Sequence, residues 1–242
     1  MATVLVTGAT GRLGTKAVRA LEEAGHEPRP FSRRAGGDLV SGEGLAEALD
    51  GVSRVLHAAS DSDARDGADD VDATRNLLAA AAGVEHLLYV SIVGVDRIPY
   101  RYYRNKLACE QLVAASGVPF TILRATQFHE LGAGVLREKE RRWLSLIYPF
   151  DFKVQLVAAQ EVAERAVQLL AGAPQQGVVE LGGPEVLTVR EAVDTWRDLR
   201  GPLRVLPLPY PGKVARAFRA GLATTDRAEG RQTWREYVSA LD

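Results

Sequence analysis

The sequence holds a single cysteine, Cys109, in 242 residues. No intramolecular disulfide can form, and no cysteine-based metal cluster can be assembled. Net charge is nearly absent: 30 Lys and Arg against 31 Asp and Glu leave −1. No global field therefore draws the chain to nucleic acid or to an anionic membrane surface. Long apolar runs are missing, and no stretch approaches the roughly 20 residues that span a bilayer. The first apolar run has no basic leader and is broken by Gly8 and Gly11. A secretory signal is therefore not expected, and a reducing cytoplasm is the expected location. The histidines, His26, His57, His86 and His129, show no metal-ligand spacing, so no metal is expected. Repeats and low-complexity tracts are also lacking. What remains is 46% hydrophobic and 25% charged, enough for one large α/β domain with a full core.

Apolar runs alternate with amphipathic stretches. Strands are predicted at Ala2 to Val6, Pro28 to Ser32, Ser53 to Ala58, His86 to Ser91, Pro119 to Leu123 and Gly177 to Leu181. Helices are predicted at Arg12 to Ala24, Leu45 to Leu49, Val71 to Ala82, Tyr102 to Ala115, Glu161 to Leu170 and Val189 to Leu199. Gly25, Gly83 and Gly117 stop three of them. Pro28 and Pro30 weaken the second strand. Such alternation implies a doubly wound parallel sheet with right-handed crossovers, a Rossmann-type α/β fold spanning 1–242. After Arg124 the rhythm loosens. Gln127 to Leu146 is expected to be helical, and the tail from Pro202 reads as a surface segment ending in a helix near Trp234 to Leu241. Residues of about 127–160 and 183–242 are the material available for a small substrate-binding region, and the tail has the position of a lid.

The opening segment Val4-Leu5-Val6-Thr7-Gly8-Ala9-Thr10-Gly11-Arg12-Leu13-Gly14 places three glycines between a strand and a helix. Gly8 allows a tight turn, Gly11 lets backbone approach a pyrophosphate, and Gly14 lets the helix pack closely. Free N–H groups and the helix dipole then face the phosphates. An acid ending the second strand would bind a ribose 2′-hydroxyl, whereas arginine suits a 2′-phosphate. The sequence offers Ser32-Arg33-Arg34, with Arg12 as a third cation and no acid before Asp38. NADP(H) is favoured over NAD(H).

Taken in order, these segments resemble the extended and atypical short-chain dehydrogenases/reductases, over roughly residues 2 to 200. Thr7-Gly8-Ala9-Thr10-Gly11-Arg12-Leu13-Gly14 is similar to their glycine motif. Gly37-Asp38-Leu39 resembles the segment that contacts adenine, and His57-Ala58-Ala59-Ser60 the small-residue segment near the ribose. Tyr89-Val90-Ser91 resembles the strand ending in the active-site serine, and Tyr102-Tyr103-Arg104-Asn105-Lys106 holds the Y-x-x-x-K pair. Leu123-Arg124-Ala125-Thr126-Gln127-Phe128 resembles the segment passing the nicotinamide, where Ala125 and Phe128 would lie against it. The branch most resembled is that of the NmrA-like NAD(P)H-binding proteins.

The resemblance implies Tyr102 as acid/base, Lys106 as its modulator and ribose ligand, and Ser91 as hydrogen-bond donor to a substrate carbonyl. Tyr102 and Lys106 share a helix face, and an ammonium beside the phenol would lower its pKa. Tyr103 is a rival for the active tyrosine. Ser91 lies only eleven residues before Tyr102, a short link for this branch. His129-Glu130 is either a substrate-site pair or a polar helix start. Trp143, Leu144, Leu146, Ile147, Tyr148 and Phe150 are either core or a pocket wall. The expected function is an NADP-dependent oxidoreductase acting on a carbonyl/alcohol pair of a small molecule. The alternatives are an NADP(H) sensor without turnover, or an isomerase or epimerase with tightly held cofactor.

Overall fold

A computed structural model of the chain describes residues 1–60, 68–142, 146–207 and 209–241. Their order begins β1 (Thr3–Thr7), α1 (Arg12–Glu23), β2 (Glu27–Phe31), α2 (Leu45–Leu49), β3 (Arg54–His57), α3 (Ala68–Ala80), β4 (His86–Ile92), α4 (Arg101–Ala115) and β5 (Phe120–Ala125). There follow β6 (Gln127–Phe128), α5 (His129–Arg142), β7 (Leu146–Tyr148), β8 (Lys153–Val154), β9 (Leu156–Val157), α6 (Ala159–Ala171) and β10 (Val178–Leu181). The chain ends with β11 (Leu187–Thr188), α7 (Val189–Arg200), β12 (Val205–Pro207), α8 (Lys213–Arg219) and α9 (Trp234–Ser239).

The chain divides into two compact units. One comprises Met1–Ile92, Tyr100–Arg124 and Val162–Val179, and the other Val93–Pro99, Ala125–Glu161 and Glu180–Asp242.

The first unit follows from the alternation. Its strands belong to a six-stranded sheet of order β10-β5-β4-β3-β1-β2. Pairings of β1 with β2, β1 with β3 and β3 with β4 are all parallel. β4 is buried almost throughout, as central strands covered on both faces must be. The prolines of β2 are tolerated because that strand forms the sheet's edge. Chain order reverses at β1, which has β2 on one side and β3 on the other. This is a topological switch point, where ligands of such sheets bind at the carboxyl ends of the strands. The core runs from Leu5 and Val55 through Leu77, Leu87 and Cys109 to Val113 and Ile122. Beside it, Arg124 donates two hydrogen bonds to the Glu110 carboxylate, 2.9 and 2.7 Å.

The second unit is held by aromatic stacking around α5, α7 and α9. The His129 ring lies 4.8 Å from Tyr237 and 5.8 Å from Trp234, and Trp234 stacks 6.2 Å from Trp196. Trp234 Nε1 donates to Ala192 O at 2.8 Å, so the indole is packed and satisfied. Capping boxes at Thr188/Glu191 and Thr233/Glu236 start α7 and α9. Pairs of short strands, β6-β9, β8-β11 and β7-β12, complete it.

Two expectations change here. Gln127 to Leu146 is not one helix: Gln127 and Phe128 form β6, and α5 ends at Arg142. The tail is only in part a surface segment: its proline stretch is exposed, but later residues enter the core. Trp234 is 1% exposed, and Ala215, Ala223 and Val238 are fully buried. Glu161 fixes the tail by accepting the N–H groups of Arg231 and Gln232 at 2.8 and 3.2 Å. Its helix α8 had no sequence expectation; the prolines before it obscure the apolar spacing. Of the apolar group around Trp143, that residue and Leu144 lie outside the described residues, while Phe150 packs on the second unit's core.

Candidate functional site

The glycine loop is built as its spacing requires. Gly8 has φ +67°, and a Cβ there would lie 2.7 Å from Ala59 Cα. β1 and β3 thus end in loops that touch at backbone level, which only glycine permits. A Cβ on Gly14 would collide with Gly8 O, so this glycine lets α1 start directly under the loop. Gly11 is the N-cap of α1 and supplies no side-chain cap, and the first turn of the helix holds no acid. The helix N-terminus therefore presents free N–H groups and an unopposed dipole, the arrangement that binds phosphate.

A cleft of about 590 Å³ opens at this switch point. It is lined by Gly8, Thr10 and Gly11 from the loop, and by Arg33, Arg34, Asp38 and Leu39 beyond β2. Ala58, Ala59 and Ser60 after β3, with Asp70 of α3, line its other side. Ten of the residues expected from the sequence thus meet in one cavity. Arg33 and Arg34 are exposed on a short helical turn directly after β2. Neither has an acidic partner among the described residues. Asp38 accepts the Val40 N–H at 2.8 Å and bridges to Glu43. Exposed backbone donors, a cradle that any Cβ would fill and two uncommitted guanidiniums fit a dinucleotide.

The other expected cofactor residues are placed differently. Arg12 is exposed at the start of α1, while Leu13 and Gly14 are buried. Ala125 is buried at the end of β5 and Phe128 half-buried in β6, both in the second unit.

Tyr102, on α4, meets the cleft wall. Its hydroxyl lies 2.7 Å from Ser60 Oγ, which in turn donates to Asp70 Oδ2 at 2.7 Å. Burial raises the Tyr102 pKa, the Ser60 hydrogen bond lowers it, and the Asp70 charge raises it again. The net direction is upward, contrary to the expectation that Lys106 would pull it down. The reason is where the ammonium goes. Lys106 is 4% exposed, and a buried cation needs an anion. Its Nζ lies 3.9 Å from Asp70 Oδ2, donates to Val90 O at 3.4 Å and sits 4.8 Å from the Tyr89 ring centroid. Burial lowers the Lys106 pKa, and Asp70 opposes that shift. Tyr103, the rival, is buried with its ring edge-on to Tyr100.

Ser91 closes β4. It is 3% exposed, and its Oγ has no hydrogen-bond partner among the described residues. A buried hydroxyl left this way is costly unless a ligand or water completes it. It is not bonded to Tyr102, which uses Ser60 instead.

Asp70 escaped the sequence reading. A signal existed: it shares a helix face with Ala73, Thr74 and Leu77, and a carboxylate on an apolar face is rarely idle. His57 is a structural residue, held by Thr7 at 2.7 Å and Thr74 at 3.1 Å. His86 bonds Thr121, and His129 is enclosed by the aromatic stack and bonded to Gln232 O. Cys109 is buried, its Sγ donating to Asp70 O. No helix among the described residues is long and apolar enough to cross a membrane, and none of their His, Cys, Asp and Glu groupings could hold a metal ion.

Residues 8–171 match the model of an NAD(P)H-binding family. The chain is 32% identical to the (4-alkanoyl-5-oxo-2,5-dihydrofuran-3-yl)methyl phosphate reductase of Streptomyces griseus, covering 89% of this chain and 84% of that protein. It is 30% identical to a ceramide reductase of Caulobacter vibrioides, covering 86% and 74%. Among solved structures, it resembles an Escherichia coli NADPH-dependent quinone oxidoreductase complexed with NADPH, with TM-score 0.78, 21% identity and 98% of both chains covered. A short-chain dehydrogenase/reductase superfamily protein from Agrobacterium tumefaciens with bound NAD gives TM-score 0.72 at 21% identity, covering 98% of this chain and 94% of that one. The glycine cradle, the doubly wound sheet and these likenesses agree: the chain belongs to the NAD(P)H-binding family.

Proposed function

We propose that the protein is an NADP(H)-dependent oxidoreductase that interconverts a carbonyl and an alcohol on a small molecule, of the NmrA-like type and working in a reducing cytoplasm. One observation carries the reading: Ser60 both lines the dinucleotide cleft and hydrogen-bonds Tyr102 OH. A phenol one hydrogen bond from the cofactor cleft is placed to exchange a proton with a substrate there.

The residues divide the work. The N–H groups of Arg12 to Gly14 hold the pyrophosphate at the start of α1, and Arg33, Arg34 and Arg12 pair with a 2′-phosphate. Asp38 and Leu39 border the adenine, and Ala58 to Ser60 and Lys106 the ribose. When bound, the nicotinamide supplies or accepts the hydride. Tyr102 gives its phenolic proton to the carbonyl oxygen, and takes it back in the reverse direction. Ser91 donates a hydrogen bond to the same oxygen. Lys106, paired with Asp70, keeps a positive charge behind the hydroxyls. The Streptomyces griseus and Caulobacter vibrioides relatives are named as reductases, which supports the direction toward the alcohol.

The test is titration with NADPH and NADH, followed by NADPH oxidation over aldehydes, ketones and quinones, with Tyr102→Phe as control. Tighter NADPH binding and Tyr102-dependent reduction are expected. Tight binding with no turnover on any of them would instead mark a sensor.

A further inference from the structure

The chain Tyr102–Ser60–Asp70–Lys106 has a fixed direction. A serine hydroxyl has one hydrogen, and an ionised carboxylate only accepts. Ser60 Oγ lies 2.7 Å from both Asp70 Oδ2 and Tyr102 OH. It therefore donates to Asp70 and accepts from Tyr102. Asp70 is firmly seated: it is 6% exposed, its backbone carbonyl accepts from Thr74 and Cys109, and the same Oδ2 faces Lys106 Nζ at 3.9 Å.

We propose that Ser60 is a hydroxyl switch for Tyr102, and that Asp70 is the positioning residue that sets it. While Tyr102 keeps its proton, Asp70 holds the Ser60 hydrogen, so Ser60 is an acceptor. Once Tyr102 has passed its proton to the substrate oxygen, the Ser60 hydrogen turns from Asp70 to the phenolate. Asp70 is then left with Lys106 as its counter-charge. Only the phenol O–H bond breaks, and its proton resides on the substrate. Without Asp70 the serine has no fixed direction; without Ser60 the phenolate loses a donor. Burial and the charges of Asp70, Cys109 and Tyr100 all oppose ionisation of Tyr102, and Ser60 alone favours it. Asp70 and Ser60 thus act on one phenol with opposite signs.

The inference rests on Tyr102 being the acid/base group, but its test needs no substrate. The full chain is labelled with carbon-13 tyrosine and titrated by NMR, the Tyr102 signal being assigned by its loss in Tyr102→Phe. Ser60→Ala should move the ionisation of Tyr102 upward in pH, and Asp70→Asn should move it downward, each by about one unit, tenfold in ionisation constant. Ser60→Thr keeps the hydroxyl and should restore the original position. Opposite shifts with rescue by threonine support the switch, since loosened packing would move both variants alike. Unchanged ionisation in both variants, or shifts of the same sign, would overturn it. Ser60 is exposed, so its two variants keep the test decisive even if Asp70→Asn does not fold. Opposite shifts in a protein that reduces no carbonyl would leave the switch standing and remove only the oxidoreductase reading.

Discussion

The two units differ in how they are made. The first is a regular alternation in which consecutive segments become neighbours, and its cleft is bounded by the glycine loop after β1 and by two arginines after β2. The second gathers α5, α7 and α9 around stacked rings, with strands of two or three residues. Periodic segments can be read locally, because burial on a sheet or helix face imposes a repeat. A core assembled from single aromatic residues brought from distant positions leaves no repeat to read. The first unit's cleft combines open backbone with a few charged and phenolic side chains, whereas the second unit rests on stacked rings.

That contrast can be tested from the largest effect downward. Tyr102→Phe should lower turnover by about 10²- to 10⁴-fold, the range of a lost general acid, with NADPH affinity and unfolding midpoint unchanged. Steady-state kinetics with denaturant melts check this, and a large fall in stability would show that the first unit's chemistry and frame are not separable. Trp234→Ala removes the centre of the second unit's stack and should cost about 3–5 kcal/mol. Hydrogen exchange should show protection lost in α7 and α9 before β1, β3 and β4; uniform loss would erase the distinction. Glu110→Gln, in the first unit, leaves Arg124 without its anion and should cost about 3 kcal/mol in urea unfolding. Replacing Arg33 and Arg34 together by alanine should weaken NADPH binding by about tenfold or more, each charge-assisted hydrogen bond being worth about 1.5–3 kcal/mol, and leave NADH binding as it was. Calorimetric titration decides, and equal weakening of both would show that the arginines hold the shared diphosphate instead.

The smallest effect concerns acid. Burial, then the Lys106 charge, lowers the His57 pKa from 6.5 to about 3. The unfolded chain therefore binds the proton more readily, and stability falls as pH drops below 6.5 until about 3 is reached. His57 contributes up to about 1.4 kcal/mol per pH unit in that window. His86, His129 and His26 are shifted the same way by burial, so the slope of the wild type should exceed one proton. His57→Asn should flatten it by about one proton; an unaltered slope would locate the acid sensitivity elsewhere.

The fold of the first unit and the cofactor cleft were legible in the sequence because glycine spacing, strand runs and the positions of Arg33, Arg34, Asp38 and Ala58 to Ser60 are local facts. Tyr102 and Lys106 could be named, but not their partners. Spacing on α4 says that the two share a face; it does not say that the ammonium turns inward to Asp70 while the phenol turns to Ser60. Those contacts join α3, α4 and the end of β3, segments far apart in the chain. The end of the tail was misread because Pro202, Pro207, Pro209 and Pro211 correctly mark an exposed stretch, while Trp234 and Val238 are buried among residues distant in the chain, Ala192 and Trp196 among them.

The edge strand β2 has one more consequence. Glu27 donates its N–H to Ala2 O, so residues 27, 29 and 31 face β1 and residues 28 and 30 face outward, by the two-residue period of a strand. Those outward positions are Pro28 and Pro30, which have no N–H to offer. The rim of the sheet is thereby stripped of donors along its free side. A strand from another molecule finds carbonyl acceptors at Pro28 and Pro30 but no N–H to complete a ladder, and pairing at this edge is disfavoured.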